Sequence, residues 1–290
     1  MKPTIDHVIL TRFNLPSKGV ESLIRAQEGW LRDRQVLFEK YCLPSVRQQT
    51  LADFKWVIYF DPESPQWLKD RIDQLSEDST FFPIYREEVS PEQLLEDLDT
   101  IGVGRRDILL TTNLDNDDGL ALDFVERLQN AVETMEETAV YIGNGLIQHG
   151  EKLYLRHDPV NAFCSVAAPW SKPRTCWLDW HNKLAEHMQT KEISGKPGWL
   201  QVIHETNVSN RVRGKLVGPE KYAGYFAGGL HAAATPHGLE FAKERLVLRP
   251  VRSVKEAFRK AVKDALVGIG GRDLLNKVKE RAEKYSTVRR

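Results

Sequence analysis

An α/β fold, with a mostly parallel central sheet flanked by helices, is what this sequence predicts, and three observations predict it. Short apolar runs alternate with helix-periodic segments as far as Glu136, the order expected of parallel strands joined by helical crossovers. The helical segments open with start signals such as Ser90-Pro91-Glu92, where Pro suits the first turn and Ser can cap it. Finally, three of the apolar runs end in polar residues, and in open parallel sheets the carboxyl ends of the strands line the ligand cleft.

Taken in order, His7 to Arg12 reads as the first strand, followed by helical spacing from about Val20 to Gln49 that is interrupted at Pro44. Phe54 to Phe60 is a second strand ending at Asp61, and Ser64 to Leu75 a helix with Pro65 in its first turn. Phe81 to Tyr85 reads as a third strand, Ser90 to Leu98 as a helix, and Ile108 to Thr112 as a fourth strand. A helix is expected from about Leu120 to Glu136. Beyond Thr138 the pattern changes: Ala139 to Ile147 and Lys152 to Arg156 flank a His-Gly-Glu turn and read as a hairpin in a mixed extension of the sheet. A helix is expected near Asp179 to His187, and Leu200 to Ile203 is a short strand.

The chain has 290 residues and 41% hydrophobic content, enough for one large domain with an appendage. Residues 1–250 are expected to form the main domain and residues 251–290 a basic helical tail. That tail holds twelve Lys or Arg against five Asp or Glu, a net +7, which leaves −7 for the rest of a chain of zero net charge. In it Val254, Phe258, Ala261, Val262 and Leu266 share one helical face, so it either packs on the main domain or lies on an anionic membrane surface. No apolar run approaches the ~18 residues of a membrane span, and the start, MKPTIDHVILTRF, lacks signal-peptide features. The expected location is cytoplasmic, with peripheral contact at the inner face of the cell membrane as the further expectation. Three cysteines without CxxC spacing read as reduced, packed thiols.

The segment most suggestive of chemistry is Asp107 to Leu120, DILLTTNLDNDDGL. An apolar strand ends there in three carboxylates and an amide, an oxygen-rich site able to hold Mg2+ or Mn2+ against a diphosphate. The plainer reading is a solvated turn in which Asp118 caps a helix starting near Gly119. An EF-hand is excluded, because Gly119 stands where a ligand would be needed. His204, at the end of WLQVIHE, is a candidate metal ligand or a hydrogen-bonded structural residue, and Arg211 a candidate for phosphate oxygens. Asp179 and His181, in TCWLDWHN, are candidate general bases, with helix capping as the alternative for Asp179. Trp170, Trp177 and Trp180 fit either sugar stacking or a core. There is no Walker A loop, GxSxG elbow, HExxH, or GxGxxG after the first strand, which argues against P-loop enzymes, serine hydrolases and dinucleotide dehydrogenases.

HVILTRFN, LPSVRQQTLADFKWVIYFD, TTNLDNDDGL and WLQVIHETNVSNR occur in that order. Together they resemble the bacterial "putative rhamnosyltransferase" family, related to inverting glycosyltransferases of the A-type, Rossmann-like fold. The resemblance spans about His7 to Arg211. It implies a metal-dependent inverting transferase of polysaccharide biosynthesis, moving a sugar such as rhamnose from a nucleoside diphosphate donor to a glycan or lipid-linked acceptor. It implies Thr11 and Arg12 near the base, Asp61 near the nucleoside, and Asp115, Asn116 and Asp117 in the DxD turn. Asp117 and His204 would serve Mn2+ or Mg2+. Asn113 and Glu205 depart from the residues expected there, Arg and Gly, which leaves the sugar open. The rival readings are a metal-dependent nucleotide-sugar phosphohydrolase or nucleotidyltransferase, and a non-catalytic glycan-binding relative; no nucleic-acid partner is expected.

Overall fold

The computed structural model describes residues 2–16, 29–104, 106–204, 211–227, 230–252 and 254. The chain divides into two units, residues 1–235 and 236–290. In the first, a parallel core is laid down as expected. Strands β1 (Ile5–Arg12), β2 (Lys55–Phe60) and β3 (Phe82–Tyr85) run side by side. Strand β4 (Ile108–Asn113) then returns to the other side of β1. That return makes the boundary between β1 and β4 a topological switch point, the usual place for a ligand in such sheets.

The crossovers are helical. They comprise α1 (Trp30–Leu37), a π-wound turn Phe38–Cys42, α2 (Leu43–Arg47), α3 (Gln66–Ser76) and α4 (Pro91–Thr100). Pro44 does not end the first helical region. It has no N–H for the Lys40 carbonyl and its ring crowds that carbonyl, so the preceding turn widens and the Leu43 N–H reaches back to Phe38. The part of the expected helical region from about Val20 to residue 28 lies outside the described residues. Ser90 and Gln93 close a reciprocal capping box on α4, as the Ser-Pro-Glu signal predicts.

Both faces of the sheet are buried, which is why its strands are apolar almost throughout. Ile9, Trp56, Ile58 and Leu110 pack with Phe38, Leu68 and Phe124 on one side. Val8, Leu10, Val57 and Leu109 pack with Leu94, Leu98 and Leu184 on the other. Each such side chain contributes roughly 1.5–3 kcal/mol by leaving water.

After β4 the structure departs from the expectation. A two-residue strand β5 (Gly119–Leu120) intervenes, so α5 runs only from Phe124 to Ala131. The run Ala139 to Ile147 is two strands, β6 (Thr138–Ile142) and β7 (Asn144–His149), divided at Gly143 and assigned to different sheets. The hairpin of β7 with β8 (Lys152–His157) forms as expected, turning at Gly150 in a left-handed conformation. Strands β9 (Ser165–Pro169) and β10 (Gln189–Ile193) have too little alternation to be legible, and the helix expected near 179–187 is a 3-10 segment at His181–Glu186.

Two mixed sheets result: seven strands ordered β10-β6-β9-β4-β1-β2-β3, and five ordered β12-β8-β7-β11-β5, with β11 at Trp199–Ile203 and β12 at Lys215–Val217. The larger keeps its parallel character except where β9 inserts antiparallel between β4 and β6. Thus β11 lies in the second sheet rather than the parallel one, because it pairs with β7 and β5. The close approach of β7 and β11 needs Gly145, where an added Cβ would sit 1.9 Å from the Trp199 ring. That ring stacks on Phe163 at 5.1 Å.

Within the second unit, the described residues form α6 (Gly238–Lys243) and a π-wound turn Glu244–Leu248, with Glu244 paired to Arg252. Residues 255–290, which carry most of the expected amphipathic tail, lie outside the described residues. Among the described residues no helix is long and apolar enough to cross a membrane.

His7 is a polar residue spent on stability. It is 2% exposed, its Nε2 meets Thr112 Oγ1 at 2.9 Å, and Thr112 Oγ1 meets Ser165 Oγ at 2.8 Å. Burial pushes its pKa down to about 3, against an opposing pull from Asp53. Unfolded, the imidazole titrates near 6.5, so below about pH 6.5 the unfolded chain binds a proton that the folded chain refuses. The His7 contribution is therefore intact above that pH and is lost as pH falls toward 3, at up to about 1.4 kcal/mol per pH unit. Urea unfolding of His7→Gln between pH 7.5 and 4.5 should show a shallower acid loss than the wild type, and equal slopes would clear His7.

Candidate active site

The acidic turn follows β4 directly and is held in place by its own side chains. Asn116 Nδ2 donates to the Phe13 carbonyl at 2.6 Å, which ties the turn to the end of β1. Asp118 is buried, and its Oδ1 accepts the Val202 N–H at 2.8 Å. That bond extends the ladder in which Gly119 and Leu120 pair with Leu200 and Trp199. Asp118 therefore does not cap a helix; it fastens β11 to the turn. The fastening places His204, two residues past Val202, against Asp117.

Asp117 is the hub. Its Oδ2 lies 2.8 Å from His204 Nε2 and 2.5 Å from Arg34 Nη1, and its side chain is only 5% exposed. Arg34 Nη1 also reaches Asn116 Oδ1 at 3.2 Å. Burial works to raise the Asp117 pKa, but the His204 hydrogen bond and the Arg34 guanidinium outweigh it and hold the carboxyl below its ordinary value. Asp118 is pushed well above the usual range by burial first, then by Asp117 and Asp115. Of these two neighbours, then, Asp117 carries the charge.

Asp115 differs in being exposed. Crowding by protein and the Asp117 charge raise its pKa, to about 6, against the Asn113 hydrogen bond and the Arg34 and Arg12 charges. It faces a second cluster: Asn113 Nδ2 approaches Asp115 Oδ1 at 3.5 Å, Trp177 Nε1 donates to Asn113 Oδ1 at 2.8 Å, and Arg12 lies over the Trp177 ring at 4.0 Å. Cys176 N–H donates to Thr111 Oγ1 at 2.8 Å, so the segment carrying Asp179 and His181 passes the end of β4.

The remaining sequence candidates fall in varied surroundings. Thr11 is fully buried and accepts the Trp56 indole N–H at 2.9 Å, so it faces the core and does not line the cleft as expected. Asp61 sits at the end of β2, its N–H bonded to Asn14 Oδ1 at 3.0 Å. Asp179 accepts from Trp180 N–H at 2.7 Å and lies 3.0 Å from His187 Nε2. His181 is half-buried, and burial lowers its pKa. Arg211 is exposed, and the preceding stretch with Glu205 lies outside the described residues. Arg34 is the residue that sequence reasoning missed. Only its place one helical turn after Trp30, whose ring lies 5.2 Å from its guanidinium, links it to a cluster.

The two expected metal ligands, Asp117 and His204, are hydrogen-bonded to each other. Among the described residues no three His, Cys, Asp or Glu side chains are arranged to hold a metal. The Asp117 oxygen expected to coordinate one is in contact with a guanidinium and an imidazole.

A family model described as "Putative rhamnosyl transferase" matches residues 6–216. The chain belongs to this family. The matched region of this rhamnosyl transferase family member runs from within β1, through the acidic turn and His204, into β12. No curated protein sequence matches the chain. Among solved structures, S. aureus TarS is similar at 10% identity and TM-score 0.41, over 70% of this chain and 37% of TarS. TarS 1-349 in complex with UDP is similar at 10% identity and TM-score 0.39, over 68% of this chain and 60% of that one. The inositol-1-phosphate CTP transferase of T. maritima is similar at 9% identity and TM-score 0.37, over 72% and 94%. These likenesses are weak, and the assignment rests on the family match.

Proposed function

We propose that this protein is a glycosyltransferase of the A-type class that moves a sugar, rhamnose by the family's description, from a nucleoside diphosphate to a glycan or lipid-linked hydroxyl. The observation that carries the reading is the acidic turn at the switch point between β1 and β4, with Arg34 and His204 on Asp117. As the bond from the anomeric carbon to the diphosphate oxygen breaks, charge collects on the leaving group. Donors fixed beforehand, the Arg34 guanidinium and the His204 imidazole, stabilise that charge with little reorganisation. The acceptor oxygen forms the new bond from the opposite side and gives its proton to His181 or Asp179. Such a single displacement inverts the anomeric carbon. The expected Mn2+ or Mg2+ is not part of this reading, since Asp117 Oδ2 is already held by protein groups. Peripheral membrane contact through the basic tail is a separate proposal, resting on the charge of residues 251–290.

A thermal-shift screen over nucleoside diphosphates, UDP among them, tests the reading. A ligand specific for the native state, at about one hundred times its Kd, adds about 2.7 kcal/mol of apparent stability. At least one diphosphate should raise the melting temperature more than its monophosphate does; no shift with any diphosphate overturns the proposal.

A further inference from the structure

We propose that Arg34 is the resident cation of the acidic turn, so that nucleoside diphosphate binding here needs no divalent metal. The inference rests on the donor class proposed above and concerns how that donor is held. A diphosphate is an anion, and the turn that carries Asp115 and Asp117 would meet it with carboxyl groups. A counter-charge has to stand among them. The conventional one is a divalent ion at 2.0 to 2.6 Å from carboxylate oxygens. Here a guanidinium takes that position: Arg34 Nη1 is 2.5 Å from Asp117 Oδ2, and His204 Nε2 shares the same oxygen at 2.8 Å. Arg34 is 14% and Asp117 5% exposed, so this pair is enclosed by protein.

Several features suit Arg34 to the task. A guanidinium stays charged at every working pH and offers five donors in a planar fork that matches phosphate oxygens. Its Nη1 also reaches Asn116 Oδ1, and its Nε is buried without a hydrogen-bond partner among the described residues, so protein contacts leave donor capacity over. The side chain is delivered by α1, whose Trp30 ring lies 5.2 Å from the guanidinium. Arg34 thereby comes from a different element than the strand ends, as a separate cation would.

Isothermal titration of UDP, GDP and dTDP into the full chain, in EDTA and in Mn2+, tests the proposal. At least one diphosphate should bind with a Kd that changes less than threefold between the two buffers. Arg34→Gln, which keeps a donor near Asp117 but removes the charge, should weaken that binding tenfold or more in EDTA. Wild-type binding that falls tenfold or more in EDTA overturns the inference and leaves the donor class standing, as does unchanged binding by Arg34→Gln. Absence of binding in both buffers overturns the inference together with the donor class. The wild-type comparison alone decides the matter should Arg34→Gln fail to fold.

Discussion

Asp117→Asn should reduce sugar transfer by about two to three orders of magnitude, the scale of losing one preorganised electrostatic element at a reacting centre. The reason is positional. Asp117 Oδ2 is the point at which Arg34 from α1 and His204 from the end of β11 converge. Without its charge, the imidazole loses its ionised acceptor, and the guanidinium keeps its bond to Asn116 Oδ1 in the turn. Either substitution leaves the Arg34 guanidinium, 14% exposed, without its carboxylate, and Asp117→Ala also removes the oxygen acceptor that asparagine would keep. Breaking one side of a buried ion pair costs about 3–5 kcal/mol. Both should therefore lower the unfolding midpoint as well as activity, alanine by more, because the asparagine amide oxygen can still accept from the guanidinium. A transfer assay alongside a urea melt separates the two effects. Wild-type turnover by Asp117→Asn would remove Asp117 from the site.

The parallel core was legible because its physics is local and repetitive. Runs such as FKWVIYF are apolar on both faces, and Ser90 with Gln93 spells out a capping box within four residues. The second sheet was not legible, for reasons that are equally physical. Whether Ala139 to Ile147 is one strand or two depends on Gly143, whose neighbour Glu192 comes from β10, far along the chain. Likewise β5 has two residues and exists only because β11 pairs with it and Asp118 holds Val202. The acidic turn could be placed from sequence, since a strand end followed by carboxylates is a local signal. Its partners could not all be found that way: Arg34 belongs to a helix whose charged residues look alike, and only the fold distinguishes it. Thr11 shows the converse error. A polar residue at a strand end was expected to line the cleft, yet the Trp56 indole N–H needs an acceptor in the core and Thr11 supplies it.

His181→Gln should depress turnover by about two to four orders of magnitude while nucleoside diphosphate binding persists, the signature of a lost general base. Both candidate bases sit just beyond Trp177, whose indole donates to Asn113 at the mouth of the acidic turn. Their surroundings favour the histidine. The Asp179 carboxyl is held below its ordinary pKa by His187 first and by the Trp180 N–H next, and Lys183 lies 3.6 Å away, so it is a weakened proton acceptor already occupied by donors. His181 is shifted downward by burial, with Asp158 opposing, so at neutral pH its imidazole is unprotonated and able to take the proton of a hydroxyl. A downward shift fixes the sign of the pH dependence. Turnover should hold as pH falls to 6.5, the ordinary histidine value, and decline only below it as His181 acquires its proton. In His181→Gln that acid limb should disappear along with most of the rate, and Asp179→Asn should keep the limb at a smaller loss. An acid limb above pH 6.5, or one that survives in His181→Gln at near-normal turnover, would place the base on another residue.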